Sequence, residues 1–156
     1  MTDQPPDGAA LAHWAEYGRP GEGVSAAYVP GADDLARLHD FVAPETSSAI
    51  ALRFDQAQAE RLFAGYRPTV PDDKWIVYAA SADGGRTASV FFHRSWTGDL
   101  IVRIDVVRGR TGWMLGSIAW ETSDEVVSDG TVTSAVQRVL EICRWVLRMD
   151  PAPRLG

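Results

Sequence analysis

Between residues 74 and 122 hydrophobic and polar residues alternate, which is the spacing of β-strands with one buried face. The alternation runs through four stretches: 74–81, 87–95, 100–107 and 113–122. The turns between them are short and rich in Gly and Asp, and such turns join neighbouring antiparallel strands. The pattern therefore predicts a four-stranded antiparallel β-meander.

Apolar residues at helical spacing flank the predicted meander on both sides. The last helix is expected over Val132–Met149, where a wide apolar face would cover one side of the sheet. Shorter helices are predicted within residues 32–42 and 56–66, with a strand at 49–54 between them. The predicted fold class is α+β: a four-stranded antiparallel β-meander packed against a long C-terminal helix, with shorter N-terminal helices.

The first thirty residues differ in composition from the rest of the chain. They are rich in Pro and Gly, and Pro20, Gly21 and Gly23 would break any helix begun before them. Residues 1–30 are therefore predicted to be a flexible or docked N-terminal arm. Residues 31–156 suffice for one hydrophobic core, so they are predicted to form a single α+β domain.

Charge and cysteine usage narrow the classes of function. The formal net charge of −6 argues against a nucleic-acid partner, which needs clustered cations. The single cysteine, Cys143, falls on the apolar side of the last predicted helix, which favours a reducing, cytoplasmic compartment. The sequence shows no secretory signal pattern and no apolar stretch of membrane-spanning length, so no membrane partner is expected. Of the 15 basic residues only Lys74 is a lysine, a bias typical of a GC-rich bacterial genome.

A candidate site emerges when the first two strands are paired across a turn at residues 82–86. This register sets Lys74 roughly opposite Arg94, and Trp75 roughly opposite His93. Like charges that face each other across strands are destabilising, so the two cations predict a nearby anion. The anion is either the phosphate or carboxylate of a ligand, or one of the protein's own carboxylates: Asp72, Asp73 or Asp99.

The same register divides the side chains of the meander between two faces. The face predicted to pack under the last helix carries Ile76, Tyr78, Val90, Phe92, Val102, Ile104 and Val106. The opposite face carries Trp75, Val77, Phe91, His93, Arg103 and Asp105. Aromatic residues interspersed with polar ones suit a small polar ligand or a partner surface. An ordinary solvent face with paired charges is the alternative.

His93, Ser95 and Asp105 are the residue types of a hydrolytic triad, but their spacing argues against one. His93 and Ser95 would project from the same strand about 7 Å apart, too far for a direct hydrogen bond. The three histidines lie in separate segments without metal-ligand spacing, and the GxG fragments near the N-terminus do not join a strand to a helix. Neither a metal nor a cofactor is therefore expected.

Trp145 is predicted to lie on the last helix, away from its apolar face. Its neighbours on that side are charged: Arg138, Glu141, Arg144 and Arg148. Because Trp and Arg are enriched at binding hot spots, Trp145 and Arg148 are candidates for an interface, including one between two copies of the chain. Cover by apolar residues of the N-terminal arm is the alternative.

Two segments of the predicted hairpin carry a resemblance. The pairing of DKWIVY, Asp73 to Tyr78, with FHRSWTG, Phe92 to Gly98, resembles a β-hairpin of small, uncharacterised bacterial proteins. Such hairpins look like companions of proteins that handle ADP-ribose or nucleotides. The resemblance covers only this hairpin and assigns no catalytic role.

Two hypotheses of function follow. The first is a cytosolic, non-enzymatic binding or accessory protein that holds a protein partner or a small anionic ligand at the end of the 74–98 hairpin. Its candidate binding residues are Lys74, Trp75, His93, Arg94 and Trp96. The alternative is an enzyme acting on a nucleotide or ADP-ribose-like phosphate compound, with Lys74 and Arg94 neutralising phosphate and His93 as acid or base.

Overall fold

A computed structural model describes residues 28–123 and 130–156 of the chain. The predicted N-terminal arm, up to residue 27, lies outside the described residues. No helix within the described ranges is long and apolar enough to cross a membrane.

The described residues form three α-helices and seven β-strands. The helices are α1 (Ala32–Arg37), α2 (Gln56–Ala64) and α3 (Val132–Trp145). The strands are β1 (Pro44–Ser47), β2 (Leu52–Asp55), β3 (Trp75–Ala82), β4 (Thr87–Arg94), β5 (Leu100–Arg108), β6 (Gly112–Glu121) and β7 (Arg154–Leu155). Asp55 begins α2 through a capping box with Gln58, and the hydroxyl of Thr131 caps α3.

The predicted four-stranded meander is wrong, because all seven strands belong to one antiparallel sheet. Its order is β3-β4-β5-β6-β2-β7, and β1 also pairs with β6. β1 is polar and largely exposed, and β7 has two exposed residues, so neither shows the alternation by which strands are predicted. Ladder hydrogen bonds to β6 and β2 define them instead.

The predicted register of β3 against β4 is wrong by one residue. The observed ladder pairs Trp75 with Arg94 and Ile76 with His93. The cause is the turn: Ala82 pairs with Thr87, so the loop holds four residues, 83–86, instead of the five assumed from sequence. A one-residue slip moves every side chain of a strand to the other face.

The slip changes the composition of both faces of the sheet. Trp75 and Val77 of β3 are fully buried in the core, whereas Ile76 and Tyr78 share the opposite face with residues of β4. The predicted core residues of β4 and β5 do lie in the core: Val90, Phe92, Val102, Ile104 and Val106.

Helices α2 and α3 complete the core on the same side of the sheet. α2 contributes Ala59 and Leu62, and α3 contributes Val139, Ile142 and Cys143, all fully buried. Burial raises the pKa of the Cys143 thiol to about 12, so the thiol is uncharged at neutral pH. Cys143 therefore acts as a small apolar residue of the core.

Glu121, at the end of β6, ties the segment before β1 to the sheet. Its carboxylate accepts hydrogen bonds from the backbone N–H groups of Val42 and Ala43, both at 2.7 Å, and of Thr122 at 3.1 Å. Burial alone would raise the pKa of this carboxyl, but the backbone donors outweigh it, and the pKa lies below the usual 4.5. The charged form of Glu121 therefore stabilises the fold.

We expect Glu121→Gln to lower the free energy of unfolding by about 2 kcal/mol at neutral pH, because an amide accepts backbone hydrogen bonds less strongly than a carboxylate. Since the folded-state pKa is depressed, this contribution is present above pH 4.5 and is lost as the pH falls through the folded-state value. Urea unfolding at several pH values measures both effects. Glu45→Gln, at an exposed position of β1, is the matched control; an equal loss in both variants would contradict the assignment.

Candidate functional site

Hydrogen bonds connect the turn between β4 and β5 to the segment that precedes β3. The N–H of Ser95 donates to the carbonyl of Lys74 at 2.9 Å, and its hydroxyl donates to the carbonyl of Asp73 at 2.6 Å. Across the turn, the N–H of Gly98 donates to the carbonyl of Arg94 at 2.8 Å. The end of the FHRSWTG segment therefore has a fixed position beside residues 71–74.

Trp96 projects from this turn with 69% of its surface exposed. Its indole Nε1–H donates to the carbonyl of Pro71 at 2.8 Å, and Lys74 Nζ lies 3.9 Å from the ring centroid. A hydrogen bond and a cation–π contact thus hold the exposed ring in one orientation. We call the surface formed by Trp96 and its surroundings, Arg37, Arg67, Val70 and Lys74, the Trp96 edge.

Trp75, another predicted binding residue, lies in the core and has no exposed surface. The guanidinium carbon of Arg94 lies 4.4 Å from its ring centroid, and that of Arg138 lies 5.7 Å away. Arg94 is thus stacked on a core tryptophan instead of facing Lys74. The opposed pair of cations predicted from sequence does not form, because the register differs by one residue.

His93 is also buried, with 2% of its surface exposed. Its Nδ1 lies 2.9 Å from the carbonyl oxygen of Gly98, which can only accept, so Nδ1 carries the proton. Its Nε2 lies 3.4 Å from the hydroxyl of Tyr78, whose ring stacks on the imidazole. Burial lowers the pKa of His93, although the Gly98 carbonyl and the nearby carboxylates Asp40 and Asp99 oppose that effect.

The three residues considered for a triad have different partners. The carboxylate of Asp105 accepts hydrogen bonds from the hydroxyls of Ser89 at 2.6 Å and Ser117 at 2.9 Å. It also lies 3.5 Å from Arg103 Nε. Since Ser95 donates to the Asp73 backbone, His93, Ser95 and Asp105 form no hydrogen-bonded chain.

Two adjoining cavities flank the Trp96 edge, with volumes of about 340 and 230 Å³. They share the lining residues Asp34, Arg37, Ile76, Ser95 and Trp96. Tyr28 and Arg67 line the smaller cavity, and His39 lines the larger one. Sequence reasoning missed Tyr28, Asp34, Arg37 and Arg67, because their position beside Trp96 comes from long-range packing that no local pattern reports.

Tyr28 and Asp34 are joined within this group. The hydroxyl of Tyr28 donates to the Asp34 carboxylate at 2.9 Å. Burial and this hydrogen bond raise the pKa of Tyr28 to about 12, so it remains a phenol at neutral pH. Asp34 also lies 3.8 Å from Arg37 on α1.

Gly98 brings α1 against the turn. The N–H of His39 donates to the Gly98 carbonyl at 2.9 Å, and a Cβ added at Gly98 would lie 2.0 Å from the carbonyl oxygen of Arg37. Gly98 also has φ +77°, a conformation that other residues adopt at a cost. The approach of α1 to Trp96 therefore requires glycine at this position.

The proposed interface on α3 is less exposed than the sequence suggests. Trp145 is partly buried and packs against the core, whereas Arg148 is exposed. Trp145 lies near the end of α3, where its large ring reaches the edge of the core. Among residues 28–123 and 130–156, no group of three or more His, Cys, Asp or Glu side chains could hold a metal ion.

We expect the stability of the protein to fall as the pH drops below about 6.5, because the folded state keeps His93 neutral while the unfolded state binds a proton. One such group contributes a slope of at most about 1.4 kcal/mol per pH unit. His93→Phe, which preserves stacking on Tyr78, should remove this component of the slope in urea unfolding between pH 5 and 7. The exposed His39→Asn variant should retain it, and an unchanged slope in His93→Phe would contradict the assignment.

We expect Gly98→Ala to destabilise the protein by more than about 2 kcal/mol, because the methyl group collides with the Arg37 carbonyl in addition to the strain of a positive φ. Gly84→Ala is the control: Gly84 has φ +64° but open space around a Cβ, so it isolates the backbone strain. Equal losses in the two variants, measured by urea unfolding, would show that the contact with α1 is unimportant.

Comparisons of the chain with known protein families, with curated proteins and with solved structures found no match.

Proposed function

We propose that this chain is a cytosolic, non-enzymatic binding or accessory protein that holds an acidic segment of a partner protein at the Trp96 edge. The observation that carries the proposal is the state of Trp96, which is 69% exposed and yet fixed by Pro71 and Lys74. Trp is the residue type most enriched at binding hot spots. A ring already held in place loses little conformational freedom on binding, which favours affinity.

Apolar and basic residues surround this ring. Val70 is 38% exposed and lines the smaller cavity together with Trp96. Within the described part of the chain, no carboxylate lies within 4.0 Å of the charged groups of Lys74 and Arg67. An apolar centre with basic neighbours matches a partner segment that combines apolar and acidic side chains.

Two carboxylates of this site, those of Asp73 and Asp34, are engaged within the protein. One Asp73 oxygen accepts from the N–H of Thr69 at 2.8 Å and of Val70 at 3.3 Å. Asp34 accepts from Tyr28 and lies near Arg37. Asp73 and Asp34 therefore stabilise the residues that line the site, while Lys74 and Arg67 supply positive charge toward an incoming group.

The enzymatic alternative has less support, because its acid or base would be His93. That side chain is buried, hydrogen-bonded to Gly98 and kept neutral. A general acid or base must reach the proton that it transfers, directly or through one water molecule. The cytosolic assignment rests on Cys143, a buried free thiol that suits a reducing compartment.

A pull-down from bacterial lysate with the purified chain tests the proposal. The double variant Lys74→Ala/Trp96→Ala should lose at least about tenfold of the bound partner, which corresponds to a hot spot of about 1.4 kcal/mol or more. Binding by the unsubstituted chain should weaken as salt is raised, since charge complementarity contributes.

The matched control is Val107→Ala/Arg108→Ala, which removes one exposed apolar and one exposed basic residue elsewhere on β5. Circular dichroism establishes that all three proteins are folded. Equal retention of every partner by both double variants would refute the proposal. Specific binding of citrate or phosphate without any protein partner would instead assign the edge to a small anionic ligand.

A further inference from the structure

A larger cleft, of about 710 Å³, lies at the opposite end of the sheet from the Trp96 edge. It is bounded by the end of β2, the turn between β5 and β6, and the segment 151–156. The turn that carries Trp96 and the turn that borders this cleft lie at opposite ends of β5, about 26 Å apart at the rise of an extended strand. The cleft is therefore separate from the site proposed above.

Two arginines face each other across neighbouring strands in this cleft. Arg53 of β2 is the direct ladder partner of Arg154 of β7, and on its other side Arg53 pairs with Met114 of β6. Direct ladder partners project from the same face, with Cβ atoms about 5 Å apart. Arg154, Arg53 and Met114 thus form a row across three strands, and its two cations repel each other.

A third arginine joins them from the turn between β5 and β6. Arg110 lies in the tight loop that the N–H of Gly109 closes on the carbonyl of Gly112 at 2.6 Å. In residues 28–123 and 130–156, no Asp or Glu carboxylate lies within 4.0 Å of the guanidinium of Arg53, Arg110 or Arg154. Asp55 also lines the cleft, but its carboxylate caps α2. Within the described residues, these three guanidinium groups therefore form no ion pair with a carboxylate.

An apolar side chain lies beside two of these cations: Met114, which is 47% exposed, follows Arg53 and Arg154 on the same face of the sheet. Leu155, 62% exposed, and the largely buried Trp113 line the cleft from the opposite face. A cleft of this size lies within the range of small-molecule sites, which are mostly apolar with a few placed polar groups. The lining therefore suits a ligand with one strongly anionic end and one apolar or aromatic part.

We propose that this cleft is a binding site for a small organic phosphate. Guanidinium groups match phosphate oxygens with paired hydrogen bonds, and three of them suit a group that carries more than one negative charge. A bound phosphate would also relieve the repulsion between Arg53 and Arg154. The side chain of Met114, on the same face as Arg53 and Arg154, would contact the organic part of the ligand.

Isothermal titration at low salt with ADP and with pyrophosphate tests this assignment. ADP should bind saturably and more tightly than pyrophosphate, because only ADP brings an aromatic base to Met114. Arg53→Gln/Arg154→Gln should raise the Kd for ADP at least about tenfold. The same variant without ligand should melt no lower than the unsubstituted chain, because it loses a repulsion.

Arg86→Gln/Arg108→Gln removes the same charge from two exposed positions outside the cleft and should leave the Kd unchanged. The Lys74→Ala/Trp96→Ala variant should bind ADP with the same Kd as the unsubstituted chain. A failure of the cleft proposal can therefore be distinguished from a failure of the partner-binding proposal at the Trp96 edge. Three results would overturn it: no saturable binding of ADP, equal binding by the two arginine variants, or binding of tri-glutamate in preference to ADP. Equal affinity for pyrophosphate and ADP would overturn the assignment of an organic ligand.

Discussion

The four-residue loop between β3 and β4 is the constraint on which most of the surface chemistry depends. By pairing Ala82 with Thr87 it places Trp75 inward and leaves Lys74 just before the ladder begins. Lys74 can then lie over Trp96, while Arg94 covers the buried ring of Trp75. A loop one residue longer would reverse both faces of β3 and would bring Lys74 and Arg94 together.

This register separates residues that share a short motif. In FHRSWTG, Phe92 and His93 are buried on opposite faces of the sheet. Gly98 leaves room for the close approach of α1. Trp96 is the exposed member, held over the Pro71 carbonyl. The motif therefore supports one rigid, exposed contact residue, and its chemistry suits recognition better than proton transfer.

The sequence predicts two opposed cations on β3 and β4, but in the structure the opposed cations lie on β2 and β7. Lys74 and Arg94 do not face each other because the register differs by one residue, and each instead lies over an aromatic ring. Arg53 and Arg154 are true ladder partners, and no carboxylate of the described residues pairs with either. Sequence could not reveal this pair, since β7 has only two residues and its pairing with β2 joins distant parts of the chain.

The sequence by itself determined the strands β3 to β6, the helix α3 and the core residues of β4 and β5, because alternation and helical periodicity record which side of each element is buried. The sequence also indicated Trp96 and Lys74 as candidate binding residues. Only the tertiary structure decided the size of the sheet, the register of β3 and the residues around Trp96. These depend on loop length and on contacts between distant segments such as Gly98 with Arg37, for which periodicity within one element carries no information.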